Sequence, residues 1–328
     1  MNLKDITKNQ HFISQTEQRL NALNPSAKKN NQKIFSFSVV DRESYKTTLD
    51  SSKGFKISNT LSLMDIFSFH VLENELKRYN FEKLFHQYES SIQLNTESLI
   101  AKLPNINSDI KPEVLNLFVS KFLNFIRNPY SIKKVLNTFP SLQNMRPTQP
   151  AHYQNFKKVL NGRKPQQQHL CKLLGVTEKN YADWLSIIFL LLTSFKENQT
   201  NFLEKIIKEL YENPNNYISI FVYTYDEETC LLSDRGYSNF TPEGDFTGLG
   251  LDFNLNSNSF IRYFFGNLDS LAPKNIPKSI IKKYKSNPKK ISFKHKINDL
   301  NELKKYNKHV IYQCHEKIFS ASKDFHIS

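Results

Sequence analysis

Cysteine is scarce in this chain, which has only three among its 328 residues. Cys171, Cys230 and Cys314 lie far apart, whereas a secreted disulfide scaffold carries a denser and even set. We therefore expect a reducing, cytoplasmic location. No Cys-x-x-Cys or His-x-x-x-His pair occurs, so the sequence does not predict a zinc site.

Long apolar runs are also lacking. The longest spans residues 184–192 and is interrupted by Ser186, whereas a helix that crosses a membrane needs about 20 apolar residues. The run predicts a buried core helix, and no membrane partner is expected. Residues 1–7 contain no apolar segment, so no secretory signal is expected either.

Glycine is rare, and its distribution is uneven. Four of the eight glycines, Gly236, Gly244, Gly248 and Gly250, fall within fifteen residues together with Pro242. A loop with such a distinct composition often carries function, although plain connecting loops are commoner. The composition leaves both readings of this segment open.

Apolar residues, by contrast, are plentiful. The chain is 39% hydrophobic, with 26 Phe and 15 Tyr, which is too apolar for a disordered protein. Alternating apolar residues and short β-branched runs predict strands at residues 34–40, 218–223, 230–233 and 310–312. Spacings of three to five predict helices at 59–88, 112–127, 131–137, 151–160, 166–174, 178–196 and 201–212.

These elements predict an α+β fold. The strands around Phe35 and Ile220 are isolated among helices, and neither is stable alone. We therefore expect a single domain over 1–328, in which N-terminal and C-terminal strands form one small sheet. A predominantly helical middle would be inserted at about 59–213.

Positive charge is concentrated near the end of the sequence. The net charge is +14, and the basic region 272–310 contains twelve lysines against Asp299 and Glu302. Such a region is typical of a surface that binds phosphate backbones. A solvated lysine-rich surface, which codon bias would produce, is the alternative. The candidate nucleic-acid-binding residues are Lys282, Lys283, Lys289 and Lys290.

Five short segments resemble, in order, a bacterial family known as a domain of unknown function. That family opens with a Lys-x-x-His-Tyr-Val-Pro-x-Phe-like motif and has a late Ser-Asp-Asn-Pro-like loop. The matching segments are Lys8-Asn9-Gln10-His11-Phe12-Ile13-Ser14, a strand at 33–37, an acidic helix at 81–89, Arg127-Asn128-Pro129, and Ser233-Asp234-Arg235-Gly236. Ser14 stands where the family has proline, and Arg235-Gly236 replaces Asn-Pro.

The resemblance implies that the protein is encoded beside mobile-element and antiviral-defence genes. Nucleases and nucleic-acid binders are common among the products of such genes. His11, Asp234 and Arg127 could then form a phosphodiester-cleaving site. His11 would move a proton, Asp234 would orient it or hold a divalent metal ion, and Arg127 would stabilise the developing charge. The residue types also allow a structural His11, an Asp234 that caps a turn and an Arg127 paired with a buried carboxylate.

A second candidate is the helix-turn-helix outline at residues 166–185. Gly175 would supply the turn, and Thr177 would cap a recognition helix. That helix runs into an apolar stretch, so a core αα-hairpin is favoured. We then expect Trp184, Ile188 and Leu191 to be buried.

Together these features predict a nucleic-acid-directed protein of bacterial antiviral defence or toxin type. If the protein is an enzyme, nuclease activity is expected. The alternative is a non-catalytic adaptor or sensor in a defence system, whose basic surface binds nucleic acid or a protein partner.

Overall fold

A computed structural model describes residues 2–105, 108–194, 200–241, 248–273, 275–286 and 291–327. The chain divides into two compact units. The first unit contains Met1–Thr16 and Ser58–Lys205, and the second contains Glu17–Ile57 and Ile206–Ser328. The helical insert predicted at about 59–213 covers nearly the same stretch as Ser58–Lys205.

Helices and strands alternate in blocks along the sequence. The helices are α1 (Gln15–Arg19), α2 (Glu82–Glu89), α3 (Ile92–Lys102), α4 (Lys111–Arg127), α5 (Ile132–Thr138), α6 (Pro150–Asn161), α7 (Gln167–Leu174), α8 (Glu178–Leu191), α9 (Phe202–Glu212), α10 (Leu268–Leu271), α11 (Lys278–Ser286) and α12 (Leu300–Gln313). The strands are β1 (Asn9–His11), β2 (Lys33–Asp41), β3 (Lys46–Leu49), β4 (Phe55–Lys56), β5 (Ser62–Met64), β6 (Phe69–Leu72), β7 (Leu76–Tyr79), β8 (Asn216–Thr224), β9 (Leu232–Ser233), β10 (Ser238–Asn239), β11 (Gly248–Asn256), β12 (Ser259–Asn267), β13 (Ser292–Ile297) and β14 (Lys317–Ser320).

The first unit packs its helices around α8. Most of α8 is apolar on every side, so it is buried rather than amphipathic. The Trp184 indole N–H donates a 2.7 Å hydrogen bond to the Ile126 carbonyl, and the Tyr181 hydroxyl donates one of 2.7 Å to the Ile66 carbonyl. These bonds satisfy the polar atoms of the two large rings inside the core. Two antiparallel pairs, β1 with β5 and β6 with β7, complete this unit.

The second unit contains two sheets. One has the strand order β10-β11-β12-β8-β13, in which β13 pairs parallel with β8 and the other pairs are antiparallel. The other has the order β3-β2-β14-β9, and β4 also pairs with β2. An apolar cluster joins both sheets to α12, and its buried members include Phe37, Phe260, Tyr306 and Ile318.

The α+β class and most predicted helices are confirmed, since α4 to α9 lie close to their predicted positions. The prediction of one small sheet that contains the strands around Phe35 and Ile220 is wrong, because the chain has several sheets. The strand around Phe35 pairs with β14, whereas the strand around Ile220 lies in the other sheet between β12 and β13. Their partners are segments that were not predicted as strands, namely β3, β4 and β14 for the first and β12 and β13 for the second.

Two local predictions are also wrong. The helix predicted from residue 59 is replaced by β5, β6 and β7, and helix begins at Glu82. Val310, Ile311 and Tyr312, predicted as a strand, lie in α12. Among the described residues, no helix is both long enough and apolar enough to cross a membrane.

Candidate functional site

Arg127 ends α4 and is buried in the first unit, with 1% of its surface exposed. Its guanidinium forms a salt bridge with Glu89 and donates a 3.2 Å hydrogen bond to the Asn124 side-chain oxygen. It also lies over the Phe85 ring, 5.0 Å from the centroid. The Nε atom is buried and has no hydrogen-bond partner among the described residues. Arg127 is thus paired with a carboxylate, as the residue types allowed, and its Nε–H is a donor without an acceptor within the described ranges.

Two glutamates of α2 lie near this arginine. Glu82 and Glu89 are seven residues apart and therefore share one helix face. Burial and the neighbouring Glu89 charge raise the pKa of Glu82 to about 7, although Arg127 acts in the opposite direction. The Oε1 atom of Glu82 is buried and accepts no hydrogen bond from the part of the chain that the structure describes. One carboxyl of the acidic helix is thus paired, and the other titrates near neutrality. We call Glu82, Glu89 and Arg127 the carboxylate–arginine cluster.

His11 ends β1 and is half-buried. Its Nδ1 lies 3.5 Å from the Gln15 side-chain nitrogen. The adjacent Phe12 ring packs edge-on against Tyr130, with centroids 5.5 Å apart. Tyr130 follows Arg127 by three residues, so the His11 segment contacts the segment that leaves α4. Three segments of the family resemblance therefore lie in one unit.

Asp234 lies in the second unit, where 4% of its surface is exposed. Its carboxylate accepts hydrogen bonds from the backbone N–H groups of His315, Glu316 and Lys317, at 2.7, 2.7 and 2.9 Å. Burial raises the pKa of Asp234, against the effect of these donors, which lower it. The contacts tie the loop after β9 to the turn before β14. Asp234 therefore has the turn-capping role that the residue types allowed.

The predicted phosphate contacts lie in the second unit. Lys282 and Lys283 are exposed on α11, and Lys278 is exposed on the same helix. Lys289 and Lys290 lie outside the described residues. Two further exposed lysines, Lys294 and Lys296, alternate along β13. None of the five described lysines forms a salt bridge with a described acidic residue, and we call them the basic surface.

An apolar groove of about 400 Å³ lies beside the basic surface. Its lining comes from β8, β12, α10, α11 and three residues between the two helices, and it includes Tyr217, Phe264, Leu271, Ile280 and Tyr284. Ile280 is 55% exposed and Leu271 is 36% exposed, so the groove opens to solvent. Successive strand residues point to opposite faces. The groove therefore occupies the sheet face that carries Tyr217 and Phe221, and Lys294 is paired with Phe221 on that face.

Gly248 and Gly250, from the glycine-rich segment at 236–250, and Gly266 leave space for aromatic rings on this face. Gly248 is paired with Gly266 across β11 and β12. A Cβ at Gly248 would lie 2.6 Å from the Phe264 ring, and one at Gly266 would lie 2.9 Å from it. A Cβ at Gly250 would similarly meet the Phe240 ring at 2.6 Å. The glycine cluster therefore lets two rings lie against the sheet.

Sequence reasoning missed this aromatic face. The signal was present, because Tyr217, Ser219 and Phe221 alternate with Ile218 and Ile220. Because bulky residues occupy both faces of β8, the sequence does not show which face is open to solvent.

The helix-turn-helix outline is a core αα-hairpin. Gly175 adopts a left-handed conformation, and the Thr177 side chain accepts a 3.1 Å hydrogen bond from the Asn180 N–H, as predicted for a turn and a cap. Trp184, Ile188 and Leu191 are completely buried, which confirms that prediction.

In the described part of the chain, no group of three or more histidine, cysteine, aspartate or glutamate side chains is placed to hold a metal ion. The described residues therefore offer no ligand set for the divalent metal that the resemblance allowed. No protein-family model, curated protein or solved structure matches the chain.

Proposed function

We propose that this chain is a nucleic-acid-binding protein of the defence or toxin type that its family resemblance suggests, and that the basic surface holds the phosphate backbone. The observation that carries the proposal is five exposed lysines on two neighbouring elements without a described acidic partner. Charge of one sign that is not neutralised locally attracts a polyanion and steers its approach.

The arrangement of α11 supports this role. Ile280, Ile281 and Tyr284 line the groove, so the helix is held by its apolar side and presents the lysines on its remaining surface. Among the described residues, Lys285 is the α11 lysine that has an acidic partner, and its ammonium lies 2.7 Å from an Asp269 oxygen. That pair crosses to α10 and leaves the other lysines of the helix available for a ligand.

The test is the salt dependence of binding. Each phosphate contact contributes about 0.9 to the log–log slope for duplex and about 0.7 for single strands. The variant Lys282→Glu/Lys283→Glu should bind more weakly and show a flatter slope in fluorescence anisotropy. The control is Lys28→Glu/Lys29→Glu, which makes the same charge change at exposed residues of the same unit. If both variants weaken binding equally, the net charge of the protein rather than the basic surface accounts for the binding.

A second candidate function is favoured by the carboxylate–arginine cluster. A buried carboxyl whose pKa is raised to about 7, close to a second carboxyl and an arginine, is typical of acid–base catalysis. In phosphodiester hydrolysis, Glu82 would accept the proton of the attacking water. The free Nε–H of Arg127 would donate to a phosphoryl oxygen, and His11 remains the predicted donor to the leaving oxygen.

Glu82→Gln tests this second function through two measurements. Nuclease activity should be lost, and the limb of the pH–rate profile near pH 7 should disappear. Because the folded pKa is raised, ionisation of Glu82 opposes folding. Its stabilising contribution is complete below its ordinary pKa of 4.5 and is lost as the pH rises through about 7.

Unfolding of Glu82→Gln should therefore be less pH-dependent between those values, whereas Glu97→Gln, at an exposed helical position, should behave as the parent protein.

His11→Ala should abolish activity at nearly unchanged melting temperature if His11 transfers the proton. A structural His11 would instead lower stability by about 1–3 kcal/mol. A Glu82→Gln protein that retains the parent's activity and pH profile would exclude the catalytic role.

A further inference from the structure

The apolar groove beside the basic surface has the composition of a stacking site. Its aromatic rings, Tyr217, Phe264 and Tyr284, come from two strands and a helix that also carries lysines. Burial and the neighbouring Tyr217 raise the pKa of the Tyr284 hydroxyl, so these two side chains lie close together. Rings of this kind bind the faces of nucleobases, which are exposed only when the bases are unpaired.

The glycines of the sheet leave space for one of these rings, Phe264. The Phe264 ring lies over the paired glycines Gly248 and Gly266, where any side chain would collide with it. Glycine in a strand interior weakens the strand, and its presence often marks a close approach of another group. Here the approaching groups are the ring of Phe264 and, at Gly266, also the side chain of Leu271, and both residues line the groove.

Lysines and rings also alternate on the same sheet face. Lys294 is paired with Phe221 in the parallel register, and its ammonium lies 5.7 Å from the centre of the Phe221 ring. Proteins that bind single strands combine a positive groove for the backbone with aromatic side chains for the bases. A duplex offers phosphates to the lysines but keeps its base faces stacked inside.

We infer that the basic surface binds single-stranded rather than duplex nucleic acid, with an unpaired base stacked against Phe264 and Tyr217 in the apolar groove. This inference rests on the proposed function and specifies its ligand. The occupant follows from charge complementarity, because the rim of an almost entirely apolar groove carries lysines. An acidic backbone with aromatic bases satisfies both parts at once.

The experiment compares three labelled probes by fluorescence anisotropy. They are a thymidine strand of about 12 nucleotides, the corresponding uridine strand, and a duplex of the same length, within the roughly 4–16 nucleotides that one such site covers. Phe264→Leu and Tyr217→Leu remove a ring but keep the groove apolar. Each should weaken single-strand binding by about 5- to 100-fold, the equivalent of about 1–3 kcal/mol per stacked base.

The salt slope separates the two proposals. Neither leucine variant should change it, since no phosphate contact is removed, whereas Lys282→Glu/Lys283→Glu should flatten it. Tyr153→Leu is the matched control, because Tyr153 is an exposed ring beneath Lys157 at 5.0 Å and lies in the other unit. Melting temperatures show whether each variant folds, and Tyr217→Leu decides the test if Phe264→Leu does not fold.

The outcomes are distinct. Preferential single-strand binding that both ring variants weaken at constant salt slope supports the inference. Duplex binding of equal or greater strength, or single-strand binding that ignores both ring replacements, overturns it and leaves the proposed function standing if the lysine reversals still act. No binding of any probe at low salt overturns the proposed function itself.

Discussion

Glu89→Ala should lower the free energy of unfolding by about 3–5 kcal/mol, which is the usual result of leaving a buried charge without its partner. The charge left behind is Arg127, whose side chain is 1% exposed, whereas the Glu89 side chain is 22% exposed. Arg127→Met should be less harmful, because the remaining carboxylate can turn towards water. Removing the more exposed partner of this pair should therefore cause the larger loss.

Chemical denaturation of three variants measures this asymmetry. The double variant Glu89→Ala/Arg127→Met leaves no unpaired charge, so it should be more stable than Glu89→Ala alone. Lys179→Ala breaks the Lys179–Asp183 pair, in which the lysine side chain is 78% exposed, and should change stability by less than about 1 kcal/mol. A double variant less stable than Glu89→Ala would contradict the expected role of the buried charge.

Asp234→Ala should destabilise the second unit by about 3 kcal/mol or more. The substitution removes three hydrogen bonds from part-buried backbone N–H groups to a buried carboxylate, and a hydrogen bond to a charged group contributes about 1.5–3 kcal/mol. Asp234→Asn should be nearly as harmful. Its amide nitrogen would face either the single donor bound by Oδ1 or the two donors bound by Oδ2.

Hydrogen exchange locates the effect of Asp234→Ala. The amides of Ile318 and Phe319, in the strand between β2 and β9, should lose protection first, because Asp234 holds the turn that leads into that strand. Ser233→Ala is the neighbouring control, since it removes a single 2.9 Å hydrogen bond from the Arg235 N–H. It should cost about 1 kcal/mol. If Asp234→Ala and Ser233→Ala lower stability equally, Asp234 does not anchor the turn before β14.

Long periodic helices could be predicted from the sequence, whereas short strands could not. The apolar spacing of α8 and its Thr177 cap identify that helix without tertiary information. The strands β5, β6 and β7 have only three or four residues each and are separated by turns. Each turn interrupts the two-residue alternation of a strand, so the apolar residues of the whole segment fall at helix-like spacings. Val310 and Ile311 favour strand locally, but the buried face of Leu303, Tyr306 and Val310 places them in α12.

The candidate sites were predicted only in part. The resemblance identified Arg127 and the acidic helix, but only the folded chain brings Glu82 and Glu89 beside that arginine. Lysine density identified the basic surface, since Lys282 and Lys283 are consecutive in a helix whose exposed side is visible from the sequence. The groove needed tertiary information, because Phe264 and Tyr217 become neighbours through strand pairing between β12 and β8.

The strand β13 has one further consequence, for self-association. Within the described residues it is the outer strand of its sheet, so its free edge offers backbone donors and acceptors to another chain. Proteins commonly protect such an edge with lysines, because a second copy would bring like charges together. Lys294 and Lys296 are exposed beside Ile297, which is 63% exposed. The charges proposed to attract nucleic acid thus also keep identical chains from extending this sheet, and a bound polyanion would neutralise that protection.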